Sequence, residues 1–187
     1  AVADILREAI RRDPELAFAH AYLSLIIALG HLIGLIHQSD WKEESIQAAE
    51  TALALDSQDS DVLGHTGCAF ADMGDFNRGI PLMKRALEIN PGNAQAWAAM
   101  GSAKLRSGDE SGVEDMRHGL KISPRDARVA AWGALLAHGL LHYSRLDETI
   151  EAAMTAWQDA RRIRPELNID KIRWMAGPEQ LQQLQNM

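Results

Sequence analysis

A phrase of about 34 residues recurs along this 187-residue chain. Its clearest copy ends in Ile89-Asn90-Pro91, and it returns before Pro124 and before Pro165. Fainter copies end at Pro14 and at Ser57, where serine stands in the proline position. Self-similarity at this period is typical of stacked helical hairpins, none of which can bury its apolar face alone. The repeat therefore predicts an all-α solenoid, and it favours binding over catalysis.

The turns between the predicted helices follow the chemistry of helix ends. Gly74-Asp75 and Gly108-Asp109 each supply a glycine suited to a left-handed C-terminal residue and an aspartate suited to N-capping. Asn90-Pro91 and Ser123-Pro124 stop a helix, because the residue before proline disfavours the helical region. The short turns make successive helices antiparallel. The pattern predicts helices over 2–12, 15–37, 40–56, 60–73, 76–90, 94–107, 110–122, 126–143, 146–164 and 178–186.

The central repeats carry a family resemblance. Residues 63–91 fit the frame W-x2-L-G-x2-Y … A-x3-F … P without a gap, and residues 97–124 fit it after one deletion in the inter-helix turn. The chain therefore resembles the tetratricopeptide repeat family over nearly its whole length. The resemblance implies a single solenoid of antiparallel helix pairs, divided into a partial repeat, four repeats and a C-terminal capping segment. These units are expected at 1–14, 15–59, 60–93, 94–126, 127–167 and 168–187.

Two positions within that frame make testable demands on packing. Gly67 and Gly101 are predicted to mark close contacts between the two helices of a repeat, where a larger side chain would overpack the interface. Pro81 falls inside a predicted helix, where it removes a backbone donor. That helix is therefore expected either to start late or to bend.

The overall layout suggests a second resemblance. The first unit is 43 residues long, Asp40-Trp41-Lys42-Glu43-Glu44-Ser45 opens its second helix, and the tail runs from Ala176 to Leu184. This layout is similar to repeats that follow the catalytic domain of some bacterial adenylate/guanylate cyclases, or the winged-helix domain of some transcription regulators. It implies a non-catalytic, cytoplasmic regulatory module of a larger bacterial signalling protein that binds a peptide or protein partner. The alternative is an intramolecular regulator or dimerisation module of an attached cyclase or DNA-binding domain.

Composition narrows the possible partners. The net charge of −7 argues against a nucleic-acid surface, and a single cysteine excludes an internal disulfide. The apolar run 23–36 is shorter than the roughly 20 residues of a membrane span, so no membrane insertion is predicted. The chain lacks an initiator methionine and opens on a partial repeat, which suggests a fragment of a longer protein.

The sequence contains only weak signals for a metal site or a catalytic residue. His138 and His142 lie four residues apart on one helix face and could form a metal pair, but no further ligand is visible at a recognisable spacing. The alternative is two polar groups facing a groove. Cys68 could be a nucleophile, yet it sits among small and aromatic residues on a packed helix, which favours an inert thiol. No cofactor, catalytic residue or metal ligand is predicted.

Binding residues follow from the resemblance alone. In the tetratricopeptide family the first helix of each repeat lines the concave face, which implies the following groove positions here: Asp61, Gly64, Cys68, Asp72, Gln95, Ala98, Ser102, Arg106, Ala134, His138 and His142. The set lacks the Lys, Asn and Arg clamp of chaperone-binding members. The groove is mixed-polar and rich in small residues, and it would admit a helix or an extended segment.

The N-terminal end offers an alternative contact surface. The long first apolar helix carries more apolar surface than a half-repeat can cover, with Leu29 and Ile33 as its test positions. Large bare apolar patches usually mark contact surfaces. This end is therefore predicted to mediate self-association, or to dock an upstream domain.

Overall fold

The computed structural model describes residues 2–165, and within that range the chain forms nine helices and no strand. They are α1 (Val2–Arg12), α2 (Ala17–Leu32), α3 (Trp41–Leu55), α4 (Ser60–Asp72), α5 (Phe76–Ile89), α6 (Ala94–Arg106), α7 (Gly112–Ile122), α8 (Val129–His142) and α9 (Leu146–Ile163). The predicted all-α class is confirmed. The expected capping segment 168–187, with its helix at 178–186, lies outside the described residues.

The helices form two rows. The inner row consists of α2, α4, α6 and α8, each of which packs against the next. The outer row consists of α1, α3, α5, α7 and α9. Helices α3, α5 and α7 each pack against two consecutive inner helices, whereas α1 packs against α2 and α9 packs against α8. Because the inner helices contact one another while the outer helices are spread apart, the inner row lies on the concave side of a helical solenoid.

Long side chains bridge the spread outer helices. The bridges are ion pairs that join α1 to α3, α3 to α5, and α7 to α9. The pairs are Arg7–Glu44 at 2.8 Å, Arg78–Glu50 at 3.3 Å and Arg117–Glu148 at 2.5 Å. Neighbouring outer helices are thus joined by polar contacts as well as by apolar clusters, such as the one that contains Ala3 of α1 and Ala48 of α3.

The helix ends use the capping residues that the sequence indicates. Asp75 accepts a hydrogen bond from the amide of Arg78, and Asn93 accepts one from the amide of Ala96. Gly74 and Gly108 adopt φ angles of 86° and 92°, which are open to glycine at little cost. Helix α5 begins at Phe76 and continues through Pro81, so the predicted late start is wrong.

Helix α2 is shorter than predicted. It ends at Leu32 rather than at residue 37. Gly34 adopts a φ of 73°, and the amides of Leu35 and Ile36 both bond back to the carbonyl of Gly30, at 2.7 and 3.0 Å. This left-handed termination is a familiar way to close a helix with glycine, and it turns the end of the apolar run into a loop. Within residues 2–165, no helix combines the length and the apolar character needed to cross a membrane.

The two test glycines lie at the tightest helix contacts. A Cβ atom on Gly67 would lie 2.8 Å from the carbonyl oxygen of Gly79, and one on Gly101 would lie 2.5 Å from that of Gly112. Those neighbours are backbone atoms of the second helix of the repeat. Backbone atoms cannot move aside as the end of a side chain can. The prediction that Gly67 and Gly101 mark close contacts is confirmed.

The turn between α8 and α9 holds a serine where its counterparts hold glycine. Ser144 has a φ of 59°, and the amides of Ser144 and Arg145 bond back to Leu141 and Leu140 at 3.0 Å each. An L-residue is strained in this region. We expect Ser144→Gly to raise the free energy of unfolding by about 0.5–1 kcal/mol.

Urea denaturation followed by circular dichroism measures this change. Ser107→Gly is the matched control, because Ser107 ends α6 at a φ of −88°, where glycine relieves no strain. A stabilisation equal at both positions, or absent at Ser144, would contradict the explanation by backbone strain.

Candidate functional site

The predicted groove positions all lie on the inner row, but they do not share one degree of exposure. Asp61, Arg106, Ala134, His138 and His142 are exposed. The half-buried set is Cys68, Asp72 and Ser102, and the buried set is Gly64, Gln95 and Ala98. The buried members support neighbouring helices: Ala98, for example, packs with Trp132. The surface that a partner could touch is therefore made by the exposed and half-buried positions.

A hydrogen-bonded network crosses from α4 to α6 in the middle of this surface. The Arg106 guanidinium donates to Asp72 Oδ1 at 2.7 Å and to the Ala71 carbonyl oxygen at 3.0 Å. Burial raises the pKa of the Asp72 carboxyl, against the lowering effect of Arg106. Because Arg106 is held by two acceptors on the neighbouring helix, its position on the surface is fixed before any partner arrives.

Cys68 belongs to the same network. Its thiol donates to Asp72 Oδ2 at a sulfur–oxygen distance of 3.9 Å. Burial, and after it the nearby Asp72 carboxylate, raises the pKa of the Cys68 thiol well above its usual range. The thiol therefore stays protonated at neutral pH, which is the inert state rather than the nucleophilic one.

A second network links α6 to the turn before α8. Arg128 donates from Nη1 to Gln95 Oε1 at 2.9 Å, and from Nε and Nη2 to the two oxygens of Asp126 at 2.9 and 2.8 Å. This pairing, despite partial burial, lowers the pKa of Asp126. Arg128 was not among the residues predicted for this surface. The sequence signal that could have identified it is the 33-residue spacing from Gln95, which equals the spacing from Pro91 to Pro124.

An aromatic cluster closes the α2 end of the surface. The His65 ring lies edge-on to Phe18 and to Tyr22, with ring centroids 5.3 Å apart in both cases. His65 Nδ1 lies 2.7 Å from the Asp61 carbonyl oxygen, so this nitrogen carries the proton and donates. Phe18 remains 42% exposed. These residues were also missed, although Phe18 and Tyr22 have the four-residue spacing of neighbours on a helix.

Burial makes His65 a source of pH-dependent stability. Burial lowers its pKa in the folded chain, against the raising effect of Asp61. The unfolded chain therefore binds more protons, so the stabilisation is complete above the unfolded pKa of about 6.5 and is lost as the pH falls below it. We expect the urea midpoint to fall between pH 7.5 and 5.5, and to fall less in His65→Gln. Equal pH dependence in the parent chain and the variant would contradict this assignment.

The two histidines of α8 are both exposed. His142 lies edge-on to Tyr143, with ring centroids 5.4 Å apart. Across the described part of the chain, no group of three His, Cys, Asp or Glu side chains is placed to hold a metal ion. His138 and His142 thus remain polar groups of the inner row.

The two positions proposed for self-association have different environments. Leu29 is half-buried and packs against the cluster that contains Ala69 of α4, whereas Ile33 is 57% exposed. Ala3 of α1 packs in one cluster with Ile36, so the start of α1 lies beside the end of α2. The exposed residues there form what we call the N-terminal apolar patch: Val2, Ile5, Leu32, Ile33 and Leu35.

Comparison with known proteins supports the repeat assignment. Residues 60–93 match the tetratricopeptide repeat family. Cellulose synthase operon protein C of Escherichia coli (strain K12) is 28% identical over 100 residues, which is 53% of this chain. The chain spans only 8% of the length of that protein.

Solved structures agree on the fold. One structure of MamA superposes with a TM-score of 0.56 at 16% identity, covering 86% of this chain and 87% of that one. A second superposes with the same score and identity, covering 89% and 86%. Together with the two rows of helices, these matches establish a tetratricopeptide-like α-solenoid.

Proposed function

We propose that this chain is a non-catalytic interaction module whose inner row binds a peptide or protein partner. The observation that carries the proposal is the fixed position of Arg106 and Arg128 on that row. Each guanidinium is held by a carboxylate and by a second acceptor from an adjacent part of the stack. A partner meeting such prearranged groups loses little side-chain entropy on binding.

The surface between the two arginines can accommodate the main chain of a partner. Ser102 and Ala134 present small side chains there, and His138 is exposed beside them. Small residues let a backbone approach closely, while the flanking polar groups supply hydrogen bonds that fix its register. An extended segment or a helix laid across the inner row is the ligand that this geometry favours.

Panning a phage-displayed library of random peptides on the full chain tests the proposal. Selected peptides should lose at least about tenfold in affinity for the double variant Ala134→Arg/His138→Glu. Both positions are exposed, so the fold should tolerate the changes. The control is Lys84→Glu on the outer row, which should leave affinity unchanged. Failure to select peptides, or selected peptides that bind the double variant as well as the parent, would refute the proposal.

The wider setting we propose is a cytoplasmic regulatory module of a larger bacterial signalling protein. The long first unit and the charged opening of α3 support this setting by their similarity to repeats attached to cyclases and to winged-helix regulators.

The N-terminal apolar patch supports a second role, in dimerisation or in docking an attached domain. Ile33 and Leu35 are 57% and 76% exposed. Light scattering should show association of the parent chain and a monomer for Ile33→Glu/Leu35→Glu. Leu29 is unsuitable for this test, because it packs against α4 and its replacement would damage the core. A parent chain that stays monomeric at high concentration would exclude self-association.

A further inference from the structure

Helices α7, α8 and α9 enclose a cleft of about 310 Å³, which we call the outer cleft. Its floor is apolar and comes from Val129, Leu136 and Leu140 of α8, all of them buried. Small residues line the rest of the floor, namely Gly133, Ala152 and Ala156. The groove positions of α8 do not line the cleft, and the cleft is large enough to receive a side chain from another molecule.

The repeat frame explains why this space exists. The first position of the frame, the W of W-x2-L-G, normally holds a large side chain. Leu63 occupies it in one repeat, Trp97 in the next and Gly133 in the third. Gly133-x2-Leu136-Ala137 follows the same spacing as Trp97-x2-Met100-Gly101. The outer cleft is therefore the space that a tryptophan occupies one repeat earlier.

The surroundings of Trp97 support this equivalence. Its indole Nε1 donates to the Pro91 carbonyl oxygen at 2.9 Å, and its ring meets His118 edge-on with centroids 4.6 Å apart. A Cβ on Gly119 would lie 3.2 Å from Trp97 Cβ, so this glycine makes room for the indole. The counterparts of these three neighbours are Pro124, Thr155 and Ala156, and all three line the outer cleft.

The charged residues at the rim of the cleft indicate which kind of residue would lie next to a side chain bound in it. Glu148 is bound by Arg145 and Arg117, which lower its pKa to about 2. Asp159 is bound by Arg162. Glu151 is exposed on the same rim and takes part in no ion pair among residues 2–165. An unneutralised carboxylate at the edge of an apolar cleft attracts a cation.

We propose that the outer cleft binds an aromatic side chain of a partner protein that carries a lysine or arginine next to it. The aromatic ring fills the space that the frame leaves at Gly133, and the basic residue pairs with Glu151. This site uses a different face of α8 from the groove positions and does not depend on the function proposed for the groove.

Methyl NMR of the full chain tests the proposal with two dipeptide probes, acetyl-Lys-Trp-amide and acetyl-Glu-Trp-amide. The methyl groups of Val129, Leu136 and Leu140 should shift saturably with the first probe. The second should bind at least about threefold more weakly, and Glu151→Gln should remove this difference. Shifts that are absent, confined to methyl groups that do not line the cleft, or equal for the two probes would overturn the proposal.

A variant that refills the cleft supplies the matched control. Gly133→Trp alone would meet Ala156, because a Cβ on Gly133 would already lie 2.9 Å from Ala156 Cβ. The double variant Gly133→Trp/Ala156→Gly recreates the pair of Trp97 and Gly119, and should weaken the lysine probe at least about tenfold. If that variant fails to fold, Ala152→Leu narrows the cleft from α9 instead. Undiminished probe binding in a folded variant would refute the site.

The full chain also allows one other occupant to be tested. Arg173 directly precedes Trp174, so this chain itself contains an aromatic residue next to a basic one. If the lysine probe binds Trp174→Ala but not the parent, the cleft serves this chain's own segment, and the proposal of a separate partner is overturned. Equal binding to both forms supports the partner.

Discussion

Replacing Gly101 with alanine is expected to lower the free energy of unfolding by about 3 kcal/mol, even though alanine is the better helix former. The added Cβ would lie 2.5 Å from the Gly112 carbonyl oxygen and 2.7 Å from the Met116 amide nitrogen. Relief would require α6 and α7 to separate, which would loosen the packing of the buried Met116. Gly101→Leu should cost still more, for the same reason.

Urea denaturation of Gly→Ala variants at three positions measures this effect. Gly67→Ala should also destabilise, because its Cβ would lie 2.8 Å from the Gly79 carbonyl oxygen. Gly64→Ala is the matched control in the same helix as Gly67. Its Cβ would meet Ala96 Cβ at an ordinary 3.4 Å, so alanine should stabilise by up to about 1 kcal/mol. Stabilisation at Gly101 as well as at Gly64 would show that helix propensity, not contact, governs these sites.

Replacing Asn93 with alanine is expected to cost about 2–3 kcal/mol. The side chain is buried and does two things at once. Its Oδ1 accepts the Ala96 amide at 2.9 Å, which caps α6. Its Nδ2 donates to the Ser60 carbonyl oxygen, the Ser60 hydroxyl and Asp61 Oδ1, at 3.2, 2.9 and 3.0 Å. Removal therefore uncaps one helix and takes away the donor that ties it to Ser60 and Asp61 of the preceding repeat.

Two further variants separate those contributions. Asp75→Ala removes a single, exposed cap, namely the bond from the Arg78 amide, and should cost about 1 kcal/mol. Asn93→Asp keeps the cap but puts a carboxylate oxygen against Ser60 and Asp61, so it should remain clearly destabilised. If Asn93→Asp matched the parent in thermal and urea denaturation, the hydrogen bonds from Asn93 Nδ2 to the preceding repeat would contribute nothing to stability.

The architecture was predictable because it follows from local rules repeated several times. The helix stops before Pro91 and Pro124, and the caps at Gly74-Asp75, depend only on neighbouring residues. The close contacts at Gly67 and Gly101 followed from the frame. The end of α2 was not predicted, because its termination depends on Gly34 in a run whose apolar character favours continuation of the helix.

The inner surface was predictable as a set of positions but not as a set of contacts. The frame places Asp72 and Arg106 on it, yet only the packing of α4 against α6 brings them to 2.7 Å. Arg128 was missed although it lies in the predicted helix 126–143, because it is not one of the family's groove positions and only its bond to Gln95 brings it to the surface. The outer cleft was missed for a different reason. It arises because Gly133 lacks a large side chain, whereas sequence motifs are recognised by residues that are present.

The ion pairs that bridge the outer row make the solenoid stiff in one direction and compliant in the other. Sliding the inner helices past one another would break dense packing, whereas opening the outer row stretches solvent-accessible pairs such as Arg78–Glu50 and Arg117–Glu148. Such pairs are individually weak and are screened by salt. We therefore expect rising ionic strength to change the curvature of the molecule more than the spacing of contact positions along its concave side.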